Sequence, residues 1–329
     1  MVACAEAAVA CAVAAADADE GDSNMRPIAF CVLAVTFLLA GAAIPAAAAS
    51  GPKAFASPEE AARQLAAAVK AGDSKVMLEI LGSEAKAIIA SGDAFADKES
   101  RERFAKAYDE ANRLEKSGDA RAVLNVGRDD WPFPIPLVKD VSGWRFDARE
   151  GKDEVLNRRV GRNERETVQA ALAYVDAQRE YYLRNPQRDK LLQYAQKFLS
   201  AGGKRDGLYW PAKSSEEPSP LGPMFAAARA EGYAKRSAGK PYPYHGYFYR
   251  ILKGQGSNAR GGAYDYVAQG RMIGGFALVA YPATYGNSGV MTFIVNHDGT
   301  VYEKNLGPDT GKLAKAMSKF DPDKSWKPL

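Results

Sequence analysis

Cysteine is nearly absent, and its placement matters more than its number. All three cysteines, Cys4, Cys11 and Cys31, fall within the first 31 of 329 residues. A chain without thiols from Ser50 onward has no disulfide staples, cysteine nucleophile or zinc–thiolate site in its body. Histidine is almost as scarce. His245 and His297 are the only two, and neither has a partner at motif spacing. His297 reads as an exposed turn residue beside Asp298-Gly299, and His245 as a structural histidine at a strand entrance. Neither a G-x-S-x-G elbow nor an H-E-x-x-H pair occurs. Asp321 to Ser325 imitates a calcium loop without its sixth-position glycine. Gly254-Gln255-Gly256 is a hairpin loop, since no helix opens behind it to cradle phosphate. These absences predict no cofactor, no metal and no catalytic residue. With no Lys/Arg stripe, nucleic acid is excluded as a partner.

What is present is a globular composition, 47% apolar and 26% charged, long enough for two domains. Residues 25–49 carry a basic start at Arg26, an apolar centre and an alanine exit after Pro45. Those are the parts of a cleavable signal peptide, with an uncleaved anchor as the alternative. Residues 1–24 are alanine-rich and acidic, the wrong charge for the front of a signal, so Met25 is the expected start. Removing both stretches takes one basic and five acidic residues away, and the net charge rises from +4 to +8. The expectation is a periplasmic or secreted protein with no stable membrane span after cleavage. Its charge suits an envelope protein or an anionic envelope polymer.

The first domain is expected over residues 55–160. Ser57-Pro58-Glu59-Glu60 is a capping box opening a helix. Short helices follow over Val76–Leu81 and Ala85–Ala90, then a longer one from Lys98 to Lys116. Strands are expected at Arg121–Val126 and Gly143–Asp147, with Asp129 and Asp130 as solvated turn residues before Trp131. Helices followed by such a sheet resemble the cystatin-like fold of nuclear-transport-factor-2-like domains. That resemblance implies a cone-shaped cavity used by some members as an enzyme site or ligand pocket.

The second domain is expected over residues 161–329. Glu164–Leu183 has helical periodicity, and a shorter helix is predicted through Leu191, Leu192, Tyr194 and Phe198. Residues 204–245 read as an irregular wrap with a small helix around Met224–Glu231. Strands then cover Gly246–Leu252, Met272–Tyr281 and Val290–Asn296, with an Asp298-Gly299 hairpin to Thr300–Lys304. Met272–Tyr281 is apolar on both faces, so one cover is the Glu164–Leu183 helix. The other is the irregular segment or the first domain. Gly274-Gly275 marks a bulge or a close approach. In order of elements this half resembles the globular head of type IV pilin-like proteins, without their apolar assembly helix. The fold class is therefore α+β in two domains, a cystatin-like one and a pilin-head-like one.

Longer strings carry a more specific resemblance. DDWPFPIPLVKD (129–140), YAQKFLS (194–200), GKRDGLYWP (203–211), the 27-residue run 270–296, LGPDT (306–310) and FDPDKSW (320–326) resemble an exported bacterial family. It is known as domain of unknown function 2950. The resemblance implies export and a shared two-part fold, and transfers no activity.

Tyrosine gives the candidate site. Arg205, Asp206, Tyr209, Trp210, Tyr244, Tyr247, Tyr249 and Arg250, with Tyr233 and Tyr242 nearby, crowd one region, and Tyr and Trp favour recognition surfaces. The sequence thus points to a non-enzymatic binding or scaffolding module. The alternative is a hydrolase or small-ligand pocket in the first domain. A deep pocket with ionisable groups converging near Trp131 would favour the alternative, and a shallow aromatic groove around Tyr209–Tyr249 the module.

Overall fold

Side-chain caps set where the N-terminal helices begin. In a computed structural model, which describes residues 51–213, 215–224 and 242–329, Ser57 accepts from the Glu60 amide at 3.1 Å. Helix α1 (Pro58–Ala71) starts there. Asp73 and Asp93 do the same for α2 (Ser74–Leu81) and α4 (Ala94–Glu110), each accepting from two amides of the first turn. These bonds satisfy amides that have no partner within the helix. Helix α3 (Lys86–Ile89) is a single turn between them. The expectations for residues 1–24 and 25–49, for Tyr233 and for the helix beyond Met224 lie outside the described residues.

The helix expected to reach Lys116 stops earlier. Residues Asn112–Lys116 form strand β1, paired antiparallel with β2 (Arg121–Val126). Tight pairing through Ser117–Ala120 overrides the helical bias of a charged run, because strand preference depends on the neighbours a strand finds. Strand β2 also pairs with β3 (Trp131–Pro132) and β4 (Leu137–Asp140), and β4 with β5 (Gly143–Phe146). Asp130 sits in the intervening turn with φ 48° and its carboxylate 3.4 Å from Arg113, a turn role as expected. Leu65, Ile80, Ile135, Leu137 and Phe146 are buried between these helices and this sheet.

Helix α5 is longer than its periodicity suggested. It runs 37 residues, Ala148–Arg184, capped by Asp147. Its first half packs on the N-terminal core through Ala148 and Val155. Its second half packs on the C-terminal core through Ala171, Tyr174, Val175 and Tyr181.

The helix predicted through Leu191–Phe198 does not form. This stretch is extended, with bridges Tyr194↔Met272 and Leu199↔Tyr209. The cause is a buried glutamine on α5. Gln178 accepts from the Ala195 amide at 2.9 Å and donates to the Ala195 carbonyl at 2.8 Å. It thereby supplies both backbone partners that a helix would have provided.

The C-terminal sheet has the expected meander. Strands β6 (Tyr247–Leu252), β7 (Gly254–Gln255), β8 (Tyr264–Asp265), β9 (Val267–Ala268), β10 (Arg271–Met272), β11 (Ala277–Pro282), β12 (Met291–Asn296) and β13 (Val301–Asn305) follow in order. After helix α6 (Thr310–Ala316) comes β14 (Lys327–Pro328). The main sheet is antiparallel in the order β6-β11-β12-β13-β14. Asp298-Gly299 makes the β12–β13 turn, with Gly299 at φ 86°. The predicted strand Met272–Tyr281 is split in two. Gly274 lies against the Tyr266 backbone, and a Cβ on Gly275 would come within 2.5 Å of His297 Nδ1, so both glycines mark a close approach.

Strand β11 is buried on both faces. Helix α5 covers one, with Tyr249 reaching Thr167. Among the described residues the other cover is α6, where the irregular segment or the N-terminal half was expected. Arg250 on that face donates to the carbonyls of Ala314 and Met317, which anchors α6 there. His297 is half-buried rather than exposed, with its ring edge-on to Tyr266 at 5.6 Å. The protein is α+β. Among the described residues no helix is long and apolar enough to cross a membrane.

Candidate functional site

A cleft of about 450 Å³ opens in the N-terminal half between α1, α4, the sheet and the first half of α5. Helical spacing puts Leu65 and Val69 of α1 on its wall, with Met77 and Leu81 from α2 and Phe104 from α4. Phe133 lies 5.2 Å from the Phe104 ring and 6.1 Å from Phe146, which fixes the aromatic side of the wall. Trp131, 42% exposed, stands at the edge with the Arg158 guanidinium 5.4 Å over its ring. Stacking of this kind holds an arginine in place while leaving its donors free.

Charge is concentrated on two helices. Arg101 and Arg103 come from α4, and Arg158, Arg159 and Arg162 from α5. Arg103 bonds Ser100 at 3.1 Å and pairs with Glu99, while Arg158 pairs with Glu154 at 2.6 Å. Arg159 turns inward, donating to the Ala87 carbonyl at 2.7 Å and also to Ile88 and Asn287. Asp97 is the carboxylate in the lining. Burial raises its pKa, against the opposing pull of the Ser91 amide, 2.9 Å away, and of Arg159.

The residues singled out by sequence fall into two places. Arg205, Tyr209 and Trp210 line a second hollow of about 480 Å³ along Leu199–Pro211. There the Arg205 guanidinium lies 5.5 Å from the Trp210 ring. Burial alone would raise the Asp206 carboxyl, but Lys197 at 2.7 Å and the Ala201 amide hold it below its usual range. Tyr244, Tyr247, Tyr249 and Arg250 lie on or beside β6 instead. Tyr247 is fully buried and donates to the Met291 carbonyl at 2.9 Å, and burial pushes its hydroxyl pKa far up. The Tyr249 hydroxyl, likewise raised by burial, faces Thr167 and the Tyr244 carbonyl. Arg250 is on the opposite face of the sheet, against α6.

Sequence reasoning passed over Asp97, Arg101, Arg158, Arg159 and Arg162. Each sits in a run of mixed charge, which ordinarily means a solvated helix face. The signal that was available is the Arg158-Arg159-x-x-Arg162 spacing, which turns two like charges onto one face of a helix.

The fold and the cleft define a class: an α+β protein whose N-terminal and C-terminal hydrophobic cores are joined by one helix, with an arginine-rimmed cavity opening beside the N-terminal core. The chain belongs to the family described as Protein of unknown function (DUF2950), whose model matches residues 52–329. No curated protein matches the chain, and no solved structure does.

Proposed function

We propose that this chain is an exported binding protein of the cell envelope, and that its N-terminal half holds a small molecule with an apolar body. One observation carries the reading: a cleft of about 450 Å³ walled by Leu65, Met77, Leu81, Phe104 and Phe133, with charge at its edge. That volume falls in the range of roughly 300–1,000 Å³ typical of small-molecule sites, which combine apolar walls with a few polar groups. Helices followed by an antiparallel sheet around a cavity support the cystatin-like assignment of residues 55–160. A second core built on a meander supports the pilin-head-like assignment of residues 161–329. Export rests on the signal-like residues 25–49.

Binding fits the side chains better than hydrolysis. Asp97 accepts from the Ser91 amide, and Ser100 from Arg103, so their hydrogen bonds do not join them as base and nucleophile. The neutral fluorophore N-phenyl-1-naphthylamine tests the reading. Saturable, one-site binding is expected, and it should be lost in Val155→Trp and Ile89→Trp, which fill the cleft from two sides. Absence of saturable binding would overturn the reading, as would equal binding by both variants with native circular dichroism.

A second reading keeps the aromatic hollow at Leu199–Pro211 as a contact for an envelope protein or polymer. Its support is the Trp210 indole N–H, which is buried there with no hydrogen-bond partner among the described residues. Tyr209→Ala with Trp210→Ala should then release partners recovered by crosslinking from the native envelope. Retention of every partner removes this reading.

A further inference from the structure

The charge at the edge of the cleft says what kind of molecule it takes, given that the binding reading above holds. Five arginines line the cleft against the single carboxylate of Asp97. Three of the five are already engaged: Arg103 with Glu99, Arg158 with Glu154, and Arg159 with backbone carbonyls and Asn287. Arg101 and Arg162 form no ion pair within 4 Å among the described residues.

Burial disfavours the charge on Arg162 most, and Arg103 and Arg165 add repulsion that Glu99 and Glu166 offset only in part; Arg162 in turn repels Arg159. Like charges gathered beside a low-dielectric wall raise the energy of the empty protein, and an anion relieves it. A neutral ligand would leave the repulsion in place, and a cation would add to it. Guanidinium forks match carboxylate and phosphate oxygens in geometry as well as charge. The apolar wall requires the rest of the molecule to be hydrocarbon. At about 450 Å³ the cavity lies in the lower half of the small-molecule range, which suits one chain rather than two.

We infer that the ligand is a single-chain amphiphile with an anionic head, its chain against Leu65, Met77, Leu81 and Phe104 and its head between Arg101 and Arg162. A free fatty acid and a lysophospholipid carrying a phosphate monoester share this chemistry.

Displacement of N-phenyl-1-naphthylamine from the purified protein by four twelve-carbon probes tests the inference. The probes are dodecanoate, dodecanoyl lysophosphatidate, dodecanol and dodecyltrimethylammonium. Both anions should displace the dye at concentrations roughly tenfold or more below dodecanol, since a charge-assisted pair is worth a decade or more in affinity. The cation should be the weakest. Arg101→Gln with Arg162→Gln should erase the anions' advantage over dodecanol, read as the ratio of displacing concentrations within the same variant. A stronger lysophosphatidate points to a lipid head, and a stronger dodecanoate to a free acid; either supports the inference. Equal displacement by dodecanol and the anions overturns it, as does an anion advantage that survives the double substitution. Failure of the dye itself to bind would instead overturn the binding reading.

Discussion

Arg159 and Asn287 tie the two halves of the chain together. The arginine lies in the first half of α5, and its guanidinium donates to Asn287 Oδ1 in the loop between β11 and β12. The same guanidinium holds the carbonyls of Ala87 and Ile88, and Asn287 Nδ2 returns a bond to the Ala90 carbonyl at 3.1 Å. The loop is also held by Asn163, which donates to the Ser288 carbonyl, and by Glu164, which accepts from the Val290 and Met291 amides. One wall of the cleft is therefore continuous with the C-terminal sheet.

Arg159→Met keeps the length of the side chain and removes every donor. It leaves the Ala87 and Ile88 carbonyls and Asn287 Oδ1 without that donor, so a loss of about 2–3 kcal/mol is expected. Urea denaturation measures the loss, and hydrogen exchange should rise first at residues 283–290. Arg159→Lys should recover only part, because an ammonium cannot span the same set of acceptors.

Gln178 is the second point where one side chain decides a segment. Its amide serves Ala195 on both sides and donates to the Tyr174 hydroxyl at 3.0 Å, all in the buried core. Gln178→Leu is expected to cost roughly 2–4 kcal/mol, because it strands buried backbone groups. Faster exchange of the Ala195 amide, with the α5 amides unchanged, would separate this local effect from general weakening.

That glutamine also shows why part of the fold was legible and part was not. The meander could be read because its signals are local: apolar β-branched runs, Gly274-Gly275 at a close approach, Asp298-Gly299 at a turn. Leu191–Phe198 has helical periodicity, yet a residue on another element supplies its hydrogen bonds, and no window of sequence contains that fact. The Lys98–Lys116 reading failed at its end for the same reason, since β1 exists only because β2 pairs with it. The cleft was the least legible part. Arg101 and Arg162 are far apart in sequence, and each looks like an ordinary solvated charge until the fold brings α4 and α5 to the lining of one cleft.

Helix α5 can approach the N-terminal sheet only because residue 151 has no side chain. A Cβ there would lie 2.5 Å from the Pro134 carbonyl oxygen and 2.7 Å from Ile135 Cα, both backbone atoms. Gly151→Ala should therefore destabilise the protein by about 1–3 kcal/mol, even though alanine favours helix. Thermal denaturation checks the sign. A stabilised variant would mean that the helix moves away freely.

Asp97 makes binding of an anion depend on pH in a direction that can be worked out. Its carboxyl faces Arg159 from α5, Asp93 from the start of its own helix and the Ser91 amide, and burial sets its pKa above the usual carboxylate range. In its charged form it opposes an anionic ligand beside Arg101 and Arg162. As pH falls through the raised value, protonation removes that opposition, so affinity for an anion should rise. The probe must not titrate in the same range, which makes 1-anilinonaphthalene-8-sulfonate suitable, with its apolar rings and permanently charged sulfonate. Its affinity should increase from pH 7 toward pH 4, and Asp97→Asn should bind more tightly at pH 7 with a flat profile. Stability follows the same sign. The folded state takes up the proton more readily than the unfolded one, so this carboxyl favours folding below its raised pKa and loses that contribution as pH rises. The difference in unfolding free energy between the parent and Asp97→Asn should therefore shift toward the parent as pH falls. A dye profile that is flat in the parent as well would show that Asp97 is not close enough to the bound anion to matter.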